Sequence, residues 1–133
     1  MSLQVRILTP EQVFLNVSAD EIILPTNTGQ MGVLTNHTPL ITAIDIGPML
    51  VRSESTWQSM ALLGGLALVK DNQVIILVNE AELGSDINAE EAETTFLAAK
   101  EALANSKTRK DQIENNLAFK RARVRYQVAT LVK

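Results

Sequence analysis

The pattern of the chain changes near residue 86, and that change bounds what it can fold into. Before it, short apolar runs are broken by Gly, Pro, Asn and Asp; after it, Ala, Glu, Lys and Arg recur at helical spacing, with no further Gly or Pro. Frequent breakers among short runs dictate strands and turns, whereas a long unbroken stretch dictates helix. The chain therefore reads as mainly β with an α appendage: a β module over 1–85 and a helical arm over 86–133.

In the first part Leu3, Val5 and Ile7 alternate with Gln4 and Arg6, as a strand with one buried face requires. Thr9-Pro10-Glu11-Gln12 turns the chain into Val13-Phe14-Leu15, and Ile22-Ile23-Leu24 is expected to stop at Pro25. Ile41 to Ile46 is expected to end at Gly47-Pro48, with Met49-Leu50-Val51 as a separate strand. Trp57 to Leu63 likewise ends at Gly64-Gly65 before Leu66-Ala67-Leu68-Val69. Lys70-Asp71-Asn72-Gln73 predicts a hairpin turn into Val74 to Val78. Short strands with such frequent turns predict two sheets sharing one core, a sandwich or flattened barrel. A βαβ fold would need helical windows between the strands, and there are none.

The arm reads as two helices. Asn88 is placed to cap the first, with Glu91 three residues on and Glu90, Glu91 and Glu93 suited to the positive end of its dipole. Ala89, Ala92, Phe96, Ala99 and Leu103 recur at 3-4-3-4 spacing and form one seam. Asn105-Ser106-Lys107 breaks the pattern, and Thr108 with Asp111 restarts it. On the second helix Ile113, Leu117, Val124, Val128 and Leu131 form the main stripe, which predicts an antiparallel hairpin sealed along it. Phe119, Ala122, Tyr126 and Ala129 make a second stripe on roughly the opposite side, which needs a further surface: the β module, or a partner for which the helix exchanges it.

Charge and composition narrow the function. Net charge is −3, yet residues 1–85 carry three cations against eight carboxylates, while 86–133 carry nine against seven. Lys120, Arg121, Arg123 and Arg125 crowd into one stretch, which calls for an acidic partner surface. Nucleic acid fits poorly, because the protein is acidic overall and no aromatic interleaves the cluster. There is no cysteine, so disulfides, thiolate metal sites and cysteine nucleophiles are excluded. The longest apolar runs are too short to cross a bilayer, and the N-terminus lacks the apolar core of a signal peptide, which predicts no secretion. His37, the single histidine, has no evident acid or nucleophile beside it. Phosphate-cradling loops, metal-ligand spacings and a Gly-x-Ser-x-Gly turn are all missing from the sequence, so no catalytic residue, metal or cofactor is expected. A binding or regulatory subunit remains. The alternative is a freestanding adaptor or chaperone-like module using the arm as a helical clamp.

The string Gly29-Gln30-Met31-Gly32-Val33-Leu34-Thr35-Asn36-His37-Thr38-Pro39-Leu40 reads as a rigid loop, with paired glycines and an exit set by Pro39. Together with Glu21-Ile22-Ile23-Leu24-Pro25, Met60-Ala61-Leu62-Leu63-Gly64-Gly65, the run from Val74 to Glu82 and Lys120-Arg121-Ala122-Arg123, it resembles the ε subunit of rotary F-type ATP synthases, called δ in mitochondria. The order and spacing hold nearly end to end, and Asn115-Asn116-Leu117-Ala118 is similar to the plastid and cyanobacterial branch. The resemblance implies a ten-stranded β-sandwich followed by a helical hairpin. It implies a non-catalytic place in the central stalk, peripheral to the membrane through the complex and without lipid insertion. The site would be the stromal face of the thylakoid, or the cytoplasmic face in a cyanobacterium. On this basis Gln30, Met31, His37 and Leu40 are expected to face γ and the c-ring, while Lys120, Arg121, Arg123 and Arg125 engage the catalytic α/β subunits and inhibit ATP hydrolysis. The resemblance also implies that some bacterial relatives bind ATP at the start of the hairpin, through an Ile/Leu-Asp-x-x-Arg-Ala motif and arginines of the second helix. Here the Asp and Arg positions of that motif hold Asn88 and Glu91, which predicts no tight nucleotide site.

Overall fold

The computed structural model describes residues 2–131. Eight strands and two α-helices follow one another among them: β1 (Leu3–Leu8), β2 (Val13–Ala19), β3 (Glu21–Thr26), β4 (Gly29–Leu34), β5 (Leu40–Ser53), β6 (Thr56–Lys70), β7 (Gln73–Val78), β8 (Ala81–Leu83), α1 (Ala89–Ala104) and α2 (Arg109–Leu131), with a 3₁₀ turn at Gly84–Asp86 before α1. The strand order is β2-β1-β7-β6-β5-β3-β4, with β8 added beside β6. Neighbours pair antiparallel except β1 and β7, which run parallel.

The expected ten strands are eight, because β5 and β6 each continue through the breakers that were expected to divide them. They pair in one unbroken register from Leu40↔Val69 to Ser53↔Thr56, with Pro48 opposite Ala61. Pro48 is tolerated because the β3 ladder to β5 ends at Ile23↔Leu50, so β5 is edge-like on that side there. Pro25 also fails to stop β3, which runs on to Thr26 along the edge strand β4. At the middle of the pair Gly64 adopts φ +79° opposite Asp45, whose carboxylate accepts the Ile46 N–H at 2.8 Å. Gly65 lies so near β7 that a Cβ there would stand 2.8 Å from Val78 Cα and collide with Leu77 O. The Gly64-Gly65 pair is thus a bend and a close approach, not a stop.

The bend folds the sheet over itself, so both halves bury one core. Leu3, Val5, Ile7, Val74 and Ile76 from one half meet Ile22, Leu24, Val33, Met49 and Met60 from the other. Hairpin turns with positive φ close β5–β6 at Glu54-Ser55 and β6–β7 at Asp71-Asn72, the latter where the polar run 70–73 predicted it.

The arm caps as the sequence required: Asn88 Oδ1 accepts the Glu91 N–H at 3.0 Å, and Thr108 Oγ1 accepts the Asp111 N–H at 3.1 Å. The α1 seam also holds, with Ala92 buried and Ala89, Phe96, Ala99 and Leu103 partly covered. On α2 the two stripes share the two roles instead of dividing them. Phe119 and Tyr126 stack on Phe96, each with ring centroids 5.4 Å away, so the second stripe seals the hairpin. Val124 and Val128 of the main stripe join Ala129 of the second in one cluster with Ala61, Ile87 and Ala92, which docks the arm on the sandwich. The main stripe overshoots the β module, leaving Ile113 62% and Leu117 44% exposed. Three aromatic rings gain more from one another than branched aliphatics gain from an alanine-rich helix, and that sets the rotation of α2. At the tip, Asn115 Nδ2 donates to Ser106 Oγ at 2.8 Å and to Ala102 O at 3.3 Å.

Candidate functional site: two surfaces and a basic helix

The string expected to form one loop divides in two. Residues 29–34 are strand β4, and only 35–39 form a loop. Alternation along β4 sends Gln30 outward and Met31 inward, where it packs against the sandwich core, as does Leu40. Gln30, paired with Pro25 beside the exposed turn at Asn27-Thr28, and His37, beyond the far end of β4, are therefore separated along the strand instead of sharing a loop. Asn36, at φ 66°, donates its N–H to Asn72 Oδ1 at 2.6 Å, which ties the His37 loop to the β6–β7 hairpin. His37 Nδ1 lies 2.7 Å from Thr38 O, so this half-buried ring is engaged by its own loop.

A second surface was not singled out from the sequence. Register aligns Val13, Leu8, Leu77, Leu66 and Ala43 in one row across β2, β1, β7, β6 and β5. The neighbouring row on the same outer face runs Arg6, Ile75, Leu68 and Ile41. Val13 is 59% and Ile41 67% exposed, and Leu66 and Leu77 are also open. The opposite faces of these strands line the core, so this half of the sheet is apolar on both sides. The signal was present: Leu66 to Val69 and Val74 to Val78 are continuous apolar runs, where a strand with one solvated face alternates. An apolar face of this extent marks an interaction surface.

The four basic residues diverge around α2. Arg121 and Arg123 are exposed, Lys120 and Arg125 half-buried, and Arg123 lies 5.4 Å from the Phe119 ring. Among the described residues only Arg125 of the four forms an ion pair. Its Nε and a terminal nitrogen donate to the two carboxylate oxygens of Glu82 at 2.7 and 3.1 Å. That hydrogen bonding, followed by the charges of Glu82 and Glu91, raises the Arg125 pKa above its ordinary value against the opposing effect of burial. No group of three or more metal-ligating side chains is gathered among the described residues, and none of their helices is long and apolar enough to cross a membrane.

Residues 2–84 match the ATP synthase delta/epsilon chain β-sandwich domain family, and residues 85–130 match the long α-helix domain of the same chain. The ATP synthase epsilon chain, chloroplastic, of Tupiella akineta is 61% identical over 130 residues, covering 98% of this chain and all of that one. The chain of the same description from Chlorella vulgaris is 62% identical over 128 residues, covering 96% of each. The fold is similar to a chain of the cryo-EM structure of the Euglena gracilis mitochondrial ATP synthase OSCP/F1/c-ring, with TM-score 0.84, 22% identity, and coverage of 98% of this chain and 81% of that one. It is also similar to a chain of the Tetrahymena thermophila mitochondrial ATP synthase central stalk and c-ring, with TM-score 0.68, 18% identity and 98% of each chain covered.

Proposed function

The chain belongs to the ATP synthase delta/epsilon family, and from that premise we propose that it couples the c-ring to γ through its sandwich and restrains ATP hydrolysis through its arm. It is a non-catalytic subunit of a proton-translocating ATP synthase, like its chloroplastic relatives. Its place is the central stalk, peripheral on the stromal face of a thylakoid membrane.

The observation that carries this reading is the sheet that is apolar on both faces. A close-packed core behind it transmits force, while Leu66, Leu77, Val13 and Ile41 offer γ an apolar surface that water would otherwise cover. The His37 loop runs through Leu40 directly into Ile41 at the border of that face, so His37 belongs with the γ contact. Gln30, beside the exposed 26–29 turn, belongs with the c-ring, and Met31 and Leu40 brace these contacts from inside. The family membership also displaces the freestanding-adaptor reading.

The arm supplies the brake. A single exposed ion pair contributes only about 0–1 kcal/mol, so one contact could not hold a rotor. Lys120, Arg121, Arg123 and Arg125 engaging an acidic surface of the α/β subunits together could. The test uses the assembled enzyme. Neutralising these four residues, or truncating after Gly84, should raise ATP hydrolysis while γ stays bound, and higher salt should weaken wild-type inhibition. Hydrolysis equal to wild type in both variants across salt would show that the arm is not a brake. Cysteines at positions 30 and 37 should cross-link to the ring and γ respectively; cross-links only to α or β would reverse the orientation.

A further inference from the structure

The lowered arm is held by three contacts that lie along one face of α2. Arg125 and Val128 are one turn apart and so project to the same side. Opposite them, Ser59 and Ala61 are two apart on β6 and share its outer face, with Glu82 of β8 paired beside Ala61. Arg125 meets Glu82 through the two-pronged bond described above, and Ser59 Oγ donates to Val128 O at 2.9 Å. Between them, Gly84 is buried beneath the helix. A Cβ there would overlap Val128 O and stand 2.7 Å from Ser59 Oγ. Gly84 does not adopt a left-handed backbone, so what this position requires is the close approach and not an unusual φ.

We infer that Glu82, Ser59 and Gly84 form an intramolecular lock that holds the arm against the sandwich and occupies Arg125. Glu82 presents to Arg125 the same carboxylate chemistry that an acidic partner would present. The arm cannot give this cation to a partner while Glu82 holds it, so the partner surface must displace Glu82 first. Glu91, whose charge also acts on Arg125, lies on α1 and moves with the arm, so the contact that ties Arg125 to the sandwich is the one with Glu82. Arg121 and Arg123 remain exposed in the locked arm and are available for a first encounter. The consequence for hydrolysis rests on the brake proposed above, whereas the lock itself concerns the free chain.

The test is amide hydrogen exchange on the full-length free subunit, comparing residues 122–130 with β1 and β7. Glu82→Gln should speed exchange of the α2 segment about threefold to fivefold, the range of a partly exposed ion pair. Gly84→Ala should speed it about tenfold or more, because the added carbon forces the helix away from the sheet. Sandwich amides should be unchanged in both. Glu82→Gln and Arg125→Gln should be non-additive, so that the double variant exchanges no faster than the faster single one. Wild-type exchange of residues 122–130 in Glu82→Gln and Gly84→Ala, or additive effects in the double variant, would overturn the lock. In the assembled enzyme Glu82→Gln should lower ATP hydrolysis by freeing Arg125. If exchange rises as expected and hydrolysis does not fall, the lock stands and the brake reading fails.

Discussion

Leu77→Asp separates the binding role proposed for the outer sheet face from the stability of the fold. Leu77 lies between Leu8 and Leu66 in the apolar row and is 43% exposed in the free chain. Full burial of a leucine contributes about 1.5–3 kcal/mol, so covering the part still open contributes roughly 1 kcal/mol to docking. Aspartate forfeits that and adds an unpaired carboxylate that the complex must desolvate, which costs about 3–5 kcal/mol. Together these weaken affinity for γ by about a thousandfold or more, at 1.4 kcal/mol for each tenfold. The free chain suffers far less, because the carboxylate keeps its water. Lost contacts and lower strand propensity cost about 1–2 kcal/mol, a fall of roughly 3–8 °C in Tm. Isothermal titration against γ and thermal melting of the free subunit measure the two effects. Leu97→Asp, on an exposed arm position, is the control and should leave the affinity unchanged. A folded Leu77→Asp subunit that binds γ within threefold of wild type would refute the assignment of this face.

Three further outcomes are expected. Gly65→Ala should destabilise the sandwich by about 3 kcal/mol or more in urea unfolding, since the added carbon meets β7 backbone, whereas Gly32→Ala, with open space around it, should fall within about 1 kcal/mol of wild type. Calorimetry at physiological salt should detect no micromolar ATP binding to the free subunit, because phosphates approaching Arg125 would meet Glu82 and Glu91. Phe96→Ala should loosen the hairpin by about 1–3 kcal/mol by removing the ring between Phe119 and Tyr126; it is read as faster exchange of residues 92–126 with the sandwich amides unchanged.

Residues whose roles depend on near neighbours in the chain were legible without the fold. Alternation in β1, the turn at Asp71-Asn72, the caps at Asn88 and Thr108 and the α1 seam all rest on interactions a few residues long. Surfaces were less legible: the basic stretch of α2 was singled out, whereas the apolar runs of β6 and β7 were read only as strands, and the partners of neither within the chain were marked. Glu82 and Arg125 are 43 residues apart, and Ser59 and Val128 are 69 apart. Nothing local in the sequence pairs them.

Tertiary structure alone decided the rest, for one physical reason: each was a choice between surfaces of similar local fitness. Gly47-Pro48 and Gly64-Gly65 could stop a strand or bend it, and the continuous β5–β6 ladder made them bend. Either α2 stripe could seal the hairpin, until the Phe96, Phe119 and Tyr126 rings stacked and left Val124 and Val128 to the sandwich. Local periodicity determines which residues share a face. What that face meets is settled by the shape and chemistry of distant segments, which the chain brings together only on folding.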